Sequence, residues 1–124
     1  MNEITFDQFE KLDIRIGTVI KAQVPEWSHW VIKLSVDFGE ELGEKTVFAG
    51  MMKFYKPEDF EGKQFPFVVN MKPKRIGPPN EDGEYNYSQG MMMAADLKTS
   101  ETDEDSKPVL FSLTQKVPNG TKVR

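Results

Sequence analysis

A short run of positively charged residues lies near the middle of the chain. Lys72, Lys74 and Arg75 follow Asn70, and Pro73 stands between the two lysines. Because proline fixes its own φ angle, it stiffens the segment and holds the cations at set positions. Cations on a stiff loop are suited to contacting phosphate oxygens. The run therefore indicates a site for a phosphate-bearing partner, with an ordinary solvated basic turn as the alternative.

The remaining residues give little support for a catalytic site. The sequence has no cysteine, which excludes thiolate metal ligands, cysteine nucleophiles and disulfides. His29 is the only histidine, and its pairing with Ser28 would need a distant carboxylate to orient it, so packing between two tryptophans is the stronger interpretation. Residues 39–46 have three residues between their glycines where a phosphate loop has four. We therefore predict a protein that is not an enzyme and that needs no metal or cofactor.

The length and the charge of the chain further restrict the class of protein. The 124 residues, 38% of them hydrophobic, predict one globular domain over residues 1–124. The net charge of −4 argues against binding nucleic acid by bulk electrostatics. However, residues 45–76 carry seven cations against three anions, whereas residues 81–105 carry eight anions against one cation. The N-terminus lacks the basic and apolar segments of a secretory signal, so we expect a cytoplasmic protein without a membrane partner.

The first predicted element is a short N-terminal helix. Thr5 is followed three residues later by Gln8, the capping-box arrangement in which each side chain bonds the other residue's backbone N–H. The spacing of Phe6, Phe9 and Leu12 predicts that this helix buries their side chains. A brief helix that covers part of the core is therefore expected before the first strand.

A long strand is predicted over residues 12–24, because apolar and polar residues alternate there. Ile14, Ile16 and Ile20 fall on its inward side, and Arg15 falls on its outward side. Gly17 has no side chain to pack and marks a bulge or a bend. Such a bend lets one strand serve two parts of a curled sheet.

Further short strands follow along the chain. The second has Trp30 inward and Val31 outward, and Pro66 restricts the fourth to an edge or a bulge. A helix is predicted over residues 53–62. The later strands are expected at residues 45–49, 64–71, 91–95 and 109–113, with connections at 77–87 and 99–107 and a turn at 118–120. This order predicts an all-β protein: a five-stranded OB-fold Greek-key barrel with a short helix between strands 3 and 4, a short N-terminal helix and a C-terminal strand extension.

The ordered motifs of the whole chain resemble the tRNA-binding domain family. This OB-fold module occurs as free-standing structure-specific tRNA-binding proteins and in methionyl-tRNA synthetases. The clearest matches are Val69-Asn70-Met71-Lys72-Pro73 and Ser88-Gln89-Gly90-Met91. Others, in the same order, lie at residues 6–17, 34–39, 49–50, 55–63 and 118–123. The resemblance implies that the partner is the folded outer corner of tRNA, recognised by shape.

The resemblance also implies a set of contact residues on one side of the barrel. The basic run would contact phosphates, the turn from Ser88 to Met91 would make closer contacts, and Arg15 would project outward from the first strand. The predicted RNA-binding residues are Arg15, Lys53, Asn70, Lys72, Lys74, Arg75, Ser88, Gln89 and Met91. Structural roles are the alternative for Arg15 and Met91.

Free-standing members of the family are homodimers, and the resemblance implies a homodimer here. Two copies would double the positive surface offered to one polyanion. The expected contacts are the N-terminal helix, with Phe6 and Phe9, and residues 109–123. Ordinary core packing is the alternative for these residues.

Two departures from the family pattern affect the expected site. His29 and Trp30 stand where the tRNA binders usually have an Asp-Lys pair, so one cation is missing. The loop before Ser88 is expanded, and its acidic residues at 81–84 would repel phosphate if the loop folded over the site. Tyr85 and Tyr87 in the same loop are suited either to stacking on bases or to anchoring the loop.

A second branch of the family, the CsaA-type secretion chaperones, offers a rival interpretation. Lys74-Arg75-Ile76 and residues 117–122 resemble it. The branch implies a dimeric chaperone that binds unfolded or exported polypeptides in an apolar groove. The five methionines at 51–52 and 91–93 favour that function, because clustered methionines make adaptable surfaces, unless they pack in the core. A third interpretation is a tRNA-binding subunit that acts in trans for an aminoacyl-tRNA synthetase.

Overall fold

The computed structural model describes residues 2–98 and 106–124, so most of the acidic connection expected at 99–107 lies outside the described residues. The helical elements are α1 (Phe6–Glu10), α2 (Gly39–Leu42) and a 3₁₀ turn (Pro57–Asp59). The strands are β1 (Ile14–Gln23), β2 (Ile32–Asp37), β3 (Glu44–Ala49), β4 (Gln64–Val68), β5 (Lys74–Ile76), β6 (Asn86–Ser88), β7 (Met91–Met92), β8 (Ala94–Lys98), β9 (Ser106–Leu110) and β10 (Lys122–Val123). The helices of the described stretches fall short of the length and apolarity that a bilayer crossing requires.

Five strands form a nearly closed barrel in the order β3-β2-β1-β4-β7. The long strand β1 makes this curvature possible, because its first half pairs with β4 and its second half pairs with β2. At the C-terminus, β10 pairs with the start of β1 and forms the predicted extension. The predicted fold class is therefore confirmed.

Gly17 lies where β1 passes from one neighbouring strand to the other. A Cβ atom at this position would lie 2.5 Å from Cγ1 of Val36 and 2.7 Å from Phe38, so the absence of a side chain lets the strands pack closely. The β-bulge itself lies further on, between Val19 and Lys21. Ile20 is the extra residue of this bulge, because Val19 pairs with Val36 and Lys21 pairs with Ser35. Ile20 is 52% exposed and lies between the buried residues Val19 and Ala22, so the inward orientation predicted for Ile20 is wrong.

The core lies inside the barrel and consists mainly of alternate residues from β2 and β4 with aromatic side chains between them. Ile32, Leu34 and Val36 are buried as predicted. The prediction fails at the residues just before β2, where Trp30 is 47% exposed and Val31 is buried. The cause is a tight turn in which the backbone N–H groups of both residues donate to the Ser28 hydroxyl.

Two local predictions between β3 and β7 require correction. Pro66 lies in a strand that is paired on both sides, opposite Ile16, and its carbonyl accepts a hydrogen bond from the N–H of Met93. The expectation of an edge or a bulge at Pro66 is therefore wrong. The helix expected over residues 53–62 is reduced to the 3₁₀ turn, after which Phe60 enters the core with no exposed surface.

Helix α1 forms with the predicted capping box. The N–H of Thr5 donates to Oε1 of Gln8, and the N–H of Gln8 donates to Oγ1 of Thr5. The predicted burial is wrong, since Phe6 is 73% exposed and Phe9 and Leu12 are also exposed. This five-residue helix is joined to the barrel at its C-terminal side, where the Asn70 side chain bonds the backbone of residues 11 and 13, and its apolar side chains do not reach the core.

The strands expected at 91–95 and 109–113 are placed differently in the structure. Residues 91–92 form β7 in the barrel, whereas β8 and β9 pair with each other as a separate two-stranded ribbon. Leu97 on β8 and Val109 on β9 are exposed, as is Phe111 just after the ribbon. The ribbon and α1 therefore both present apolar side chains to solvent.

The contacts around Gly17 generate a stability prediction. We expect Gly17→Ala to lower the free energy of unfolding by about 1–3 kcal/mol, because the new methyl group overlaps Val36 and Phe38. Urea denaturation followed by tryptophan fluorescence measures the change. Gly50→Ala is the matched control, since a Cβ at Gly50 has open space around it. An equal effect from both substitutions would contradict this account of the β1 bend.

Candidate nucleic-acid interface

The basic run forms one strand of a small hairpin. Lys74 pairs with Ser88, Arg75 with Tyr87, and β5 and β6 together make a two-stranded antiparallel sheet. Lys74 to Ile76 were expected in a loop and are instead in a strand. The loop expected over residues 77–87 is also shorter than predicted, because β6 begins at Asn86.

Side chains of Ser88 and Gln89 attach this hairpin to β3. The buried Ser88 hydroxyl accepts a hydrogen bond from the N–H of Phe48 at 3.0 Å and donates to the carbonyl of Gly90 at 3.0 Å. The side-chain oxygen of Gln89 accepts from the N–H of Thr46 at 2.8 Å, and the N–H of Gln89 donates to the carbonyl of Thr46. Ser88 and Gln89, which were predicted as RNA contacts, thus use these groups within the fold.

A groove of about 380 Å³ lies between the hairpin, the start of β2 and the end of β3. Trp30, Met71 and Met91 are each about half exposed there. Lys72 and Lys74 line the same groove, and its lining includes no acidic side chain among the residues that the structure describes. The full lining is Trp30, Val31, Phe48, Gly50, Met71, Lys72, Lys74, Ile76, Ser88, Gly90 and Met91. The groove, which is mainly apolar, therefore has a local positive charge.

Aromatic rings pack against one another beside the groove. The ring centroids of Trp27 and Trp30 are 5.7 Å apart, and those of Trp27 and Phe48 are 6.3 Å apart. His29 packs edge-on against Trp30, which agrees with the packing role expected for it. On the hairpin side, a Cβ at Gly77 would collide with the Trp27 ring. Trp27 therefore holds the far end of the hairpin against the barrel.

Arg15 and Asn70 lie away from the groove lining. The Arg15 side chain lies on the face of β1 opposite to the buried Ile14 and Ile16, and it is only 16% exposed because it binds Asp13 at 2.6 Å and the carbonyl of Gly120 at 3.1 Å. Its hydrogen bond to Asp13 raises the pKa of Arg15. Asn70 accepts from the N–H of Asp13 and donates to the carbonyl of Lys11. Both residues bind neighbouring backbone in this structure.

Lys53 and Arg75 also lie outside the groove lining. Lys53 is in the turn after β3, with its amino group 5.6 Å from the centre of the Phe54 ring. The guanidinium of Arg75 lies 4.3 Å from the centre of the Tyr85 ring.

Of the nine predicted contact residues, the groove brings together Lys72, Lys74, Ser88 and Met91. Trp30 was not predicted as a site residue. Its position in the loop before β2 was the only feature of the sequence that could have indicated a place at the groove.

The acidic tip of the hairpin lies beside a different concavity. Glu81 and Asp82 line a depression together with Trp27 and Pro79. Hydrogen bonds within the loop fix this arrangement, including one from the N–H of Glu84 to the side chain of Asp82. These acidic side chains therefore do not line the groove in the part of the chain that the structure describes, and they do not cover it as the expected repulsion would require.

The methionines divide between the core and the groove. Met51 and Met92 are buried in the barrel, and Met52 and Met93 are partly buried. Met91, together with Met71, is exposed at the groove. Of the five methionines that favoured a chaperone, only Met91 is thus exposed at the groove, where Met71 lies beside it.

Comparison with known families assigns the chain to a class of RNA-binding domains. Residues 14–122 match the family described as "Putative tRNA binding domain". This match covers most of the chain, and the chain belongs to that family.

Particular relatives agree with this assignment. The methionine--tRNA ligase of Clostridium tetani is 38% identical over 122 residues, a match that covers 98% of this chain and 17% of the ligase. A solved structure of a MetRS related protein from Pyrococcus horikoshii is 36% identical, with a TM-score of 0.80 and full coverage of both chains. The chaperone CsaA from Bacillus anthracis is 35% identical, with a TM-score of 0.75 over 99% of this chain and all of that one. The chain therefore spans about a sixth of the ligases that it matches and the full length of these two solved chains.

The attachment of the hairpin generates a second stability prediction. We expect Ser88→Ala to lower the free energy of unfolding by about 1–3 kcal/mol, because it leaves the N–H of Phe48 and the carbonyl of Gly90 without their buried partner. Thermal unfolding followed by circular dichroism measures this loss. The exposed Ser112 offers the control Ser112→Ala, which we expect to change stability little. A neutral Ser88→Ala would contradict the attachment role.

Proposed function

We propose that this chain binds folded tRNA through the groove between the hairpin and Trp30. The observation that carries the proposal is the placement of Lys72 and Lys74 beside exposed aromatic and methionine side chains. Membership of the tRNA-binding domain family supports the same partner. OB-folds in general bind oligonucleotides on this part of the barrel, between the loop after the first strand and the loop after the fourth.

Electrostatic attraction in this proposal is local. The whole chain has a net charge of −4, so the attraction must come from a few cations close to the RNA. Lys72 and Lys74 supply it at the groove, and Arg75 adds a cation on the same strand. Phosphate contacts of this kind fix orientation without reading sequence, which suits recognition of a folded shape.

The other predicted residues take two kinds of role in the proposal. Met91, with Trp30 and Met71, contacts sugar and base surfaces from the apolar part of the groove. Ser88, Gln89 and Asn70 position the segments that carry the cations, Arg15 does the same near the C-terminus, and Lys53 adds a peripheral phosphate contact.

No catalytic step is part of the proposed function. The chain matches only about a sixth of the methionine--tRNA ligases, and it corresponds over its full length to a MetRS related protein. We therefore propose a binding module that presents tRNA, either alone or in trans to an aminoacyl-tRNA synthetase, in the cytoplasm.

We also propose that two copies of the chain form a homodimer. Phe6 and Leu12 near the N-terminus and Leu97 and Phe111 at the β8–β9 ribbon are exposed apolar side chains, which an interface would cover. A pair of subunits offers two basic grooves to one RNA, and simultaneous engagement of both raises the overall affinity.

Polypeptide binding is a second candidate function. The lining of the groove is largely apolar, and the CsaA chaperone from Bacillus anthracis is similar in sequence and fold. An unfolded segment with apolar side chains would bury Trp30, Met71 and Met91 in place of RNA.

The lysines allow a direct test of the RNA proposal. We expect the double variant Lys72→Glu, Lys74→Glu to weaken binding to folded bulk tRNA at least tenfold at low salt, because attraction at two phosphate contacts becomes repulsion. Fluorescence anisotropy with labelled tRNA, repeated over a salt series, measures the affinity and its salt dependence. The wild-type affinity should fall as salt rises, and the variant should show a shallower slope.

The matched control for this test is Lys63→Glu, Lys116→Glu. Both of these lysines are exposed, and both line a separate depression formed with Ser112 and Gln115. The control changes the net charge by the same amount, so an equal loss of affinity would assign binding to overall charge and contradict the groove. Salt-insensitive binding to a denatured polypeptide without a tRNA signal would favour the chaperone function instead.

The dimer proposal has its own test. We expect Phe6→Glu to convert a dimer to a monomer in light scattering, because it places a charge in the proposed apolar interface. Ile20→Glu is the control, since Ile20 is similarly apolar and 52% exposed on β1. A wild-type protein that is monomeric at micromolar concentration would contradict the proposal, as would dissociation by both variants.

A further inference from the structure

We infer that the outer side of the β5–β6 hairpin holds a second RNA subsite, a pocket for one unpaired nucleotide. The inference rests on the proposed function and adds the kind of RNA structure that the protein selects. In this subsite, Tyr87 stacks on the base, and Lys33 contacts a phosphate. The subsite is distinct from the groove, because its lining contains neither Lys72 nor Lys74.

The alternation of the hairpin strands creates the two sides. Lys74 and Ser88 form one cross-strand pair and line the groove. Arg75 and Tyr87 form the next pair, so their side chains lie on the opposite face. That face borders a concavity of about 530 Å³, a size in the range of small-molecule sites. Its lining includes Lys33, Thr46, Tyr85, Asn86, Tyr87 and Gln89.

The two tyrosines have different surroundings in this concavity. Arg75 packs on the Tyr85 ring at 4.3 Å, which holds that ring in place and keeps a cation near the pocket. Tyr87 is 48% exposed and offers its ring to a ligand. Side chains that only anchored the loop would be buried, and Tyr85 is itself 42% exposed. The exposure therefore favours base stacking over loop anchoring.

Polar groups around the tyrosines suit the edges of a nucleobase. Gln89 uses its side-chain oxygen to accept from Thr46, so its amide NH₂ is the part that can donate to a ligand. Asn86 donates its NH₂ to the side chain of Asn80, so its oxygen is the part that can accept. Lys33 on β2 supplies the charge for a phosphate on the same nucleotide. Ring, donor, acceptor and cation together match a nucleotide.

A paired nucleotide does not fit this chemistry. Bases within an A-form helix are stacked on their neighbours, so a tyrosine ring stacks only on a base that is unpaired and turned outward. The subsite therefore selects RNA that combines a helical region for the groove with an unpaired nucleotide for Tyr87. Recognition by shape then has a second component besides phosphate spacing.

The test uses two RNAs of equal length and charge. One is a stem-loop with the fluorescent base 2-aminopurine in its loop, and the other is a fully paired duplex. We expect Tyr87→Ala to weaken stem-loop binding about tenfold, within the range found when one stacking aromatic is removed, and to leave duplex binding unchanged. Binding by the wild type should quench the 2-aminopurine emission, and Tyr87→Ala should abolish the quenching. Tyr87→Phe keeps the ring and should retain both the affinity and the quenching.

The outcomes separate this inference from the proposed function. If the wild type binds both RNAs and Tyr87→Ala binds the stem-loop as tightly as the wild type, the subsite is refuted and the groove remains. If Lys33→Ala has no effect on stem-loop binding, the proposed phosphate contact is refuted. If the wild type binds neither RNA, the proposed function fails and the subsite fails with it.

Discussion

The attachment of the hairpin to β3 is the constraint on which both proposed RNA sites depend. At this edge of the barrel the N–H groups of Thr46 and Phe48 donate to side-chain oxygens of Gln89 and Ser88 in place of backbone carbonyls. Gly90 completes the attachment, because a Cβ there would lie 2.9 Å from the carbonyl oxygen of Val68. Serine, glutamine and glycine at these positions thus have a structural explanation. They place Lys74 on one side of the hairpin, and Arg75 with the ring of Tyr87 on the other.

The rest of the barrel determines what the hairpin faces. Close packing at Gly17 lets β1 pair with β4 and then with β2, and this curvature brings the ends of β2 and β3 to the hairpin. Trp27 then packs on Gly77 and fixes the other end of the hairpin. The groove is therefore bordered by elements that are held on both sides, so the backbone segments that carry its cations and apolar side chains are positioned before any partner binds. Such preorganisation reduces the ordering cost of binding.

Much of the fold could be predicted from the sequence because strand alternation and turn residues act locally. The capping box at Thr5, the long first strand and the barrel class are confirmed. The errors occur where one extra residue or one hydrogen bond changes which side chains of a strand face the core. The bulge after Val19 exposes Ile20, and the Ser28 turn exposes Trp30. The alternation of apolar and polar residues alone predicts neither the bulge nor the turn.

Prediction of the site was less complete for a related reason. Lys72, Lys74 and Met91 lie together at the groove, as a basic run near an exposed methionine would. Arg15, Asn70 and Ser88 instead bind backbone groups, and the partners of Ser88 and Asn70 include residues 40 to 59 positions away in the chain. Sequence spacing does not reveal partners at such separations, so these hydrogen bonds within the fold could not be predicted, and the RNA contacts of the three residues stay predictions.

Hydrogen exchange of the backbone amides with and without folded bulk tRNA tests the central claim most directly, because it maps the contact surface without any substitution. The account predicts slower exchange on binding at residues 30–31, 48–50, 70–76 and 86–91, and it predicts that high salt removes this protection. Protection confined to α1 and the β8–β9 ribbon, or no change at residues 70–76 under conditions in which tRNA is bound, would contradict the groove as the RNA-binding surface.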